Sequence, residues 1–268
     1  MLHVPAGRFR MGSEDPVAVR ADAEGPVREV EVAGFWIDAC AVRNSEFAAF
    51  AQESGYRSLA ERSGWSFVFA GLLPDDFPAT RGVAHAPWWR QVEGASWCAP
   101  EGPQSSLEGR AAHPVVHLSL EDARAYAAWA GKRLPSEVEW EYAARGGLDQ
   151  CRYPWGDELT PNGETRCNVW QGSFPSHNAC QDGYYGTAPV DIYAPNGYGL
   201  YNMVGNTWEW CESAFDHEQQ VIRGGSYLCH ASYCFRYRCS ARSGSAPESS
   251  TGHLGFRCVS EGDSRSAL

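Results

Sequence analysis

The chain has 268 residues and a formal charge of −11, from 22 Lys+Arg against 33 Asp+Glu. With 43% apolar and 21% charged residues it is long enough and apolar enough to bury a sizeable core, which excludes a disordered chain. The acidic balance argues against a general nucleic-acid binder, no apolar run approaches the roughly 18 residues of a membrane span, and residues 1–5 carry no signal-peptide pattern.

Residues 28–32 (Arg-Glu-Val-Glu-Val) alternate with period two and predict a strand, as does 35–37. Asn44 is placed to cap a helix carrying Phe47, Ala48, Phe50 and Ala51, which Gly55 would end. The apolar run 113–118 predicts a further strand. Ser119 with Asp122 resembles a capping box and opens a helix over 120–130, stopped by Gly131. Ser136 with Glu139 is a full capping box and opens a helix over 137–145, with Gly146-Gly147 as the stop. From about residue 148 onward Gly, Pro, Asn and Asp recur every few residues, which predicts short strands among irregular loops. The 11 Trp, 28 Gly and 16 Pro agree with a loop-rich fold pinned by large aromatics. No linker divides the chain, so the reading is one α+β domain over 1–260 with a short tail, 261–268.

There are ten cysteines and no Cys-x-x-Cys, which argues against a zinc ribbon or a thioredoxin-like site. Three of them fall in one strip as Cys229-x4-Cys234-x4-Cys239. On a strand, Cys229 and Cys234 would point to opposite faces. On a helix they would lie about 140° apart. Their sulfurs converge only if the segment bends, and Gly224-Gly225 upstream permit that. Converged thiols have three readings: a structural disulfide, a redox-active disulfide, or a soft-metal site, since thiolates select ions such as Cu(I). Spacing does not rank them.

The strip Arg-Gly-Gly-Ser-Tyr-Leu-Cys-His-x-Ser-Tyr-Cys-x-Arg-Tyr-Arg, residues 223–238, resembles the active-site strip of the formylglycine-generating enzymes, the sulfatase-modifying factors. The likeness covers nearly the whole chain. Pro-Ala-Gly-Arg-Phe-Arg-Met-Gly (5–12), Ala-Pro-Trp-Trp (86–89), His-Pro-Val-Val-His (113–117) and Trp-Ala-Gly-Lys-Arg-Leu-Pro (129–135) follow the family's order. So do Asn-Val-Trp-Gln-Gly (168–172), Pro-Asn-Gly-Tyr-Gly-Leu-Tyr-Asn (195–202), Gly-Asn-x-Trp-Glu-Trp (205–210) and Leu-Gly-Phe-Arg-Cys (254–258). The tryptophan motifs mark the wider superfamily. The cysteine strip is more specific, because binding-only paralogues lack it.

The resemblance implies a C-type-lectin-like formylglycine-generating-enzyme fold with little regular secondary structure. It implies an O2-dependent oxidase that converts the cysteine of Cys-x-Pro-x-Arg in an unfolded sulfatase polypeptide to Cα-formylglycine. Cys229 and Cys234 would hold Cu(I). Ser226, Trp208 and Tyr233 match pocket positions, Trp88 and Trp89 the floor of a peptide groove, and Arg242 an arginine of either structural or catalytic use. Up to two structural calcium ions are implied. Asn168, Val169, Asp182 and Tyr184 match one site and Asn202, Gly205, Thr207 and Glu209 the other, with Val169, Tyr184, Gly205 and Thr207 giving backbone carbonyls. Asn, Asp and Glu oxygens with free carbonyls are what a hard cation takes.

The chain also departs from the pattern. In secreted animal members the last two cysteines are bridged to the helical region. Here Cys239 and Cys258 match them, but the partner positions are Ala144 and Ala127, so those bridges cannot form. The loop between Trp210 and Arg223 is short, and His253 stands where some members have Asn. The competing reading is a non-catalytic sulfatase- or ligand-binding module of the same fold, which would need neither Cys229 nor Cys234. The expectation is a cytoplasmic monomer with no nucleic-acid or membrane partner, on the missing signal peptide and the absence of a retention motif.

Overall fold

The computed structural model describes residues 1–262; positions 263–268, the end of the expected tail, lie outside the described residues. Among the described residues four short helices and five small sheets sit between long irregular segments. This is the α+β, loop-rich architecture that the glycine, proline and tryptophan content predicts.

The helices form where capping chemistry starts them. Helix α1 spans Asn44–Ser54 and ends at Gly55, whose φ of 69° is the left-handed cap geometry. Its start differs by one residue from the prediction. Arg43 is the extended N-cap, and its N–H donates to Glu46 Oε2 at 2.7 Å. Asn44 is drawn away instead, donating from Nδ2 to the Arg110 carbonyl at 2.9 Å. Helix α2, Leu59–Ser63, was not predicted, although Ser58 and Glu61 form a capping box and Gly64 ends it. Helix α3, Leu120–Trp129, and helix α4, Glu137–Arg145, start at the boxes of Ser119 with Asp122 and Ser136 with Glu139.

Strands β1 (Leu2–Val4) and β14 (Val259–Ser260) flank β4 (Phe35–Ile37), so the two ends of the described chain close one sheet. Strand β2 (Gly7–Met11) pairs with β3 (Arg28–Val32), and β7 (Ala86–Glu93) lies between β5 (Trp65–Phe69) and β6 (Arg81–Val83). A two-residue hairpin pairs β8 (Gly172–Ser173) with β9 (His177–Asn178). The sheet that positions the site is four-stranded. It contains β10 (Trp208–Ala214), β11 (Gln220–Arg223), β12 (Arg242–Ser245) and β13 (Leu254–Gly255) in the order β12-β11-β10-β13. The cysteine strip is the connection from β11 to β12.

Residues 113–118 are extended but are not a ladder strand. Pro114 makes an isolated bridge to Arg43, Val115 N–H donates to the Val42 carbonyl, and His117 takes a φ of 63° that breaks the run. The His117 ring is fully enclosed, with Nδ1 at 2.8 Å from Ser66 Oγ, and burial pushes its pKa down to about 3. An imidazole held neutral in the fold and ordinary in the unfolded chain binds fewer protons when folded. Its stabilisation is complete above about pH 6.5 and declines as pH falls toward 3. We expect about 1.4 kcal/mol lost per pH unit over the middle of that window from this residue alone. Urea melts at pH 7 and pH 5 read it, and His117→Asn, which tolerates the positive φ, should flatten the dependence. An unchanged slope in that variant contradicts the assignment.

Two large apolar clusters fill the interior. One joins Phe47, Phe50 and Tyr126 of α1 and α3 to Trp208, Trp210, Cys229, Cys234 and Phe256. The other joins Trp140, Ala143 and Ala144 of α4 to Val4, Ile37, Val221 and Cys239. Between them lie buried ion pairs. Arg223, with no exposed surface, donates to Glu137 Oε1 at 3.0 Å and Glu141 Oε2 at 2.6 Å, which ties β11 to α4. Arg242 pairs with Glu137 on both carboxylate oxygens, at 2.6 and 2.9 Å. No helix among the described residues is long and apolar enough to cross a membrane.

Candidate active site

Two turns bring Cys229 and Cys234 together. Gly224 and Gly225 leave β11 with φ of 92° and 73°, and a Cβ on Gly225 would meet the Tyr237 backbone at 3.0 Å. The chain then turns at Ser226, whose carbonyl accepts from Cys229 N–H at 2.9 Å. A single helical turn follows, with Cys234 N–H donating to the His230 carbonyl at 2.7 Å. The two sulfurs end 2.7 Å apart, beyond the roughly 2.05 Å of a disulfide bond, and all ten cysteines are free thiols. Ser226 N–H points at Cys229 Sγ at 3.4 Å.

Both thiols are buried, at 1% and 9% exposure, yet they differ electrostatically. Burial pushes Cys229 well above the ordinary thiol range. The hydrogen bond from Cys229, then the charge of Arg236, hold Cys234 below it despite burial. Of the two, Cys234 is therefore the more readily ionised. Arg236 is anchored by Asp22 at 2.5 Å, and Arg238 by Glu24 at 2.6 and 2.7 Å, so the segment before β3 braces the strip.

The sulfurs line a cavity of about 290 Å³. Ser226, Trp208 and Tyr233 line it, as do Trp88 and Trp89. Trp208 is 4% exposed, so it also belongs to the core, whereas Tyr233 is 45% exposed and forms the rim. Arg242 is not among the lining residues; its ion pair with Glu137 makes it structural. Arg236 carries the one permanent charge among the lining residues, and no carboxylate is there. His253 packs against Trp89 with centroids 4.5 Å apart and planes tilted by 54°, and bonds Thr251 Oγ1 through Nδ1 at 2.7 Å; burial pushes its pKa down to about 3. A larger cavity of about 430 Å³, between Arg8, Tyr142 and Tyr198, shares no residue with this one and contains no thiol.

Phe174 was missed from sequence. It lies on the β8–β9 hairpin, stacks on Tyr233 at 4.4 Å with planes 6° apart, and meets Trp88 edge-on at 5.2 Å. Its Gly-Ser-Phe-Pro surroundings read only as a turn. The signal available was the one aromatic side chain in that loop, opposite an aromatic-rich strip.

The residues read as calcium ligands divide. Asp182 Oδ2 and Asn202 Oδ1 are enclosed acceptors with no hydrogen-bond partner, and burial raises the Asp182 pKa. An acceptor too enclosed for water and without a donor leaves its desolvation uncompensated, and a small cation fits such a place. Asn168 and Asn206 cross-link the two loops: Asn206 N–H donates to the Asn168 carbonyl at 2.8 Å, and Gly205 takes a φ of 76° beside it. Glu209 is already engaged by protein donors. Arg257 grips its carboxylate with two bonds of 2.7 Å, and Trp140 Nε1 donates to Oε2 at 2.7 Å. Those three bonds occupy most of the carboxylate's acceptor positions. Among the described residues, no three of His, Cys, Asp and Glu gather as a metal cluster. The thiol pair, a two-donor soft set, does fit a monovalent soft ion.

A family model described as "Sulfatase-modifying factor enzyme 1-like domain" matches residues 1–262. The chain belongs to this sulfatase-modifying factor family. Among its relatives in the family is the "Formylglycine-generating enzyme" of Thermomonospora curvata, 55% identical, with 97% of this chain and 93% of that one covered. Another is the "Inactive C-alpha-formylglycine-generating enzyme 2" of Bos taurus, 47% identical, with 97% and 87% covered. The structure of PvdO from Pseudomonas aeruginosa superposes with a TM-score of 0.68 at 26% identity, covering 97% of this chain and 93% of that one. The fold of the sulfatase-modifying factors is thus the fold of this chain.

Proposed function

We propose that the chain oxidises the cysteine of a Cys-x-Pro-x-Arg motif in an unfolded sulfatase to Cα-formylglycine, with O2 as oxidant and Cu(I) held by Cys229 and Cys234. A relative named inactive is nearly as similar as one named for the activity, so identity alone does not carry this reading. The observation that carries it is the pair of free sulfurs 2.7 Å apart on an aromatic cavity.

A soft d10 ion bound there would supply affinity for a further thiolate and reactivity toward O2. The residues of the chain prepare the place. The Ser226 N–H steadies Cys229 Sγ, and Arg236 offsets the negative charge that gathers when a substrate thiolate joins two others. Trp88, Trp89 and Trp208 exclude water and so strengthen those charge interactions. His253, held neutral, offers the substrate a hydrogen-bonding wall that does not titrate near neutral pH. The substrate cysteine passes two protons and two electrons to O2, whose full reduction to water takes two further electrons and protons from an external thiol reductant, and water replaces the cysteine's sulfur as hydrogen sulfide.

An oxygen electrode tests the reading. Copper-loaded protein should take up O2 when a Cys-x-Pro-x-Arg peptide is added and not when serine replaces the peptide's cysteine. Folded, copper-loaded protein that takes up no O2 with either peptide would promote the binding-module reading instead.

We assign a structural calcium ion to Asn168 and Asp182 with the Val169 and Tyr184 carbonyls, on the unpartnered Asp182 Oδ2. A second lies at Asn202 with the Gly205 and Thr207 carbonyls, without Glu209. Chelated protein should gain about 5 °C or more in Tm on calcium addition, and Asp182→Ala should lose most of that gain. A calorimetric Tm indifferent to calcium overturns the assignment.

A further inference from the structure

Two arginines of the cysteine strip are met by two acids from one segment between β2 and β3: Arg236 by Asp22, and Arg238 by Glu24. The two pairs differ in what they face. Arg238 and Glu24 are enclosed, and neither lines the thiol cavity. Arg236 does line it. Its backbone N–H and its guanidinium both serve the Cys234 sulfur as donors, and its charge acts on that sulfur as well. Asp22 stands behind Arg236, outside the cavity lining. Its Oδ2 accepts from Arg236 Nε at 2.5 Å, which leaves the two Nη groups of the planar fork for other partners.

Asp22 is itself held in place. It ends the short 3-10 turn Arg20–Asp22, which Ala23 closes at a φ of 54° with its N–H donating to the Arg20 carbonyl at 3.0 Å. Its own carbonyl accepts from Arg242 Nη1 at 3.2 Å, so β12 fixes the backbone while Arg236 takes the side chain.

We infer that Asp22 is a positioning residue for the metal: by fixing Arg236 it keeps a positive charge beside Cys234 and so strengthens the grip of the thiol pair on Cu(I). This rests on the reading above that Cys229 and Cys234 hold that ion. The charge count gives the sign. Two thiolates around one Cu(I) carry one net negative charge, whereas two free thiols carry none, so a fixed cation beside them favours the loaded pair. The carboxylate of Asp22 taken alone would act the other way. By Coulomb's law its removal should tighten copper binding. Positioning predicts the reverse, because an arginine released from its partner no longer stays at the sulfur.

The experiment is an anaerobic competition for Cu(I) between the protein and bicinchoninate, a coloured chelator, at a single pH. Arg236→Gln should weaken Cu(I) binding about 10- to 100-fold and Asp22→Ala about tenfold. Asp22→Asn, which keeps the side-chain volume and a neutral acceptor, should fall between wild type and Asp22→Ala. The double variant Asp22→Ala/Arg236→Gln should bind as Arg236→Gln does, since Asp22 acts through the arginine. Asp15→Asn breaks another ion pair of the same segment, with Arg152 at 2.7 Å, and should leave copper affinity unchanged. Tighter or unchanged binding in the Asp22 variants, a further loss in the double variant, or an equal loss in Asp15→Asn overturns the proposal. Wild-type protein that took up no Cu(I) would sink the copper reading itself, whereas copper held equally by wild type and Asp22→Ala sinks the positioning role alone.

Discussion

Alanine at either Cys229 or Cys234 should lower peptide turnover by a factor on the order of 10³ or more, and the double variant should be no worse than either single one. The two sulfurs act as one unit: they lie 2.7 Å apart, and removal of one leaves a single thiol that cannot supply both donors to a soft ion. Neither change should unfold the protein. The turns that place the cysteines are held by backbone bonds, Cys229 N–H to the Ser226 carbonyl and Cys234 N–H to the His230 carbonyl, which alanine keeps. Stopped-time kinetics with circular dichroism on the same samples check both halves. A single variant that retains more than a tenth of wild-type turnover contradicts the assignment.

The second large effect is on stability. Glu209→Ala should cost about 3–5 kcal/mol, because it leaves Arg257 charged, buried and stripped of its carboxylate. The pair sits where β10 meets β13, and Arg257 also donates to the carbonyls of Asp38, Ala39 and Tyr201, so the loss loosens three segments together. A Tm lower by about 10 °C is the expected reading in calorimetry. The penalty should be the same with and without a calcium chelator. A loss that vanishes on chelation would restore Glu209 as a metal ligand.

That residue also shows where sequence reading runs out. Helices α3 and α4 were legible because their starting signals are local: a serine, and an acid three residues on. The same signal at Ser58 and Glu61 does not stand out in the sequence, since α2 is one turn long and carries no periodic apolar face. The convergence of Cys229 and Cys234 could be stated only as a condition, met here by two positive-φ glycines and one helical turn. The partner of Glu209 lies 48 residues away, and nothing local distinguishes a carboxylate reserved for an arginine from one free for a cation. Residues 113–118 have the apolar content of a strand, but His117 spends its backbone on a turn toward Thr251. The place of Phe174 at the site depends on tertiary packing alone. Pairing decides what is free at a site, and pairing across the fold is what a single sequence states least.

Mass spectrometry of a Cys-x-Pro-x-Arg peptide after incubation with copper-loaded protein in air tests the central claim most directly. The predicted product has lost one sulfur and two hydrogens from its cysteine and gained one oxygen, and it is absent when Cys229 or Cys234 is alanine. A peptide returned with its cysteine intact by folded, copper-loaded wild-type protein would contradict the oxidase.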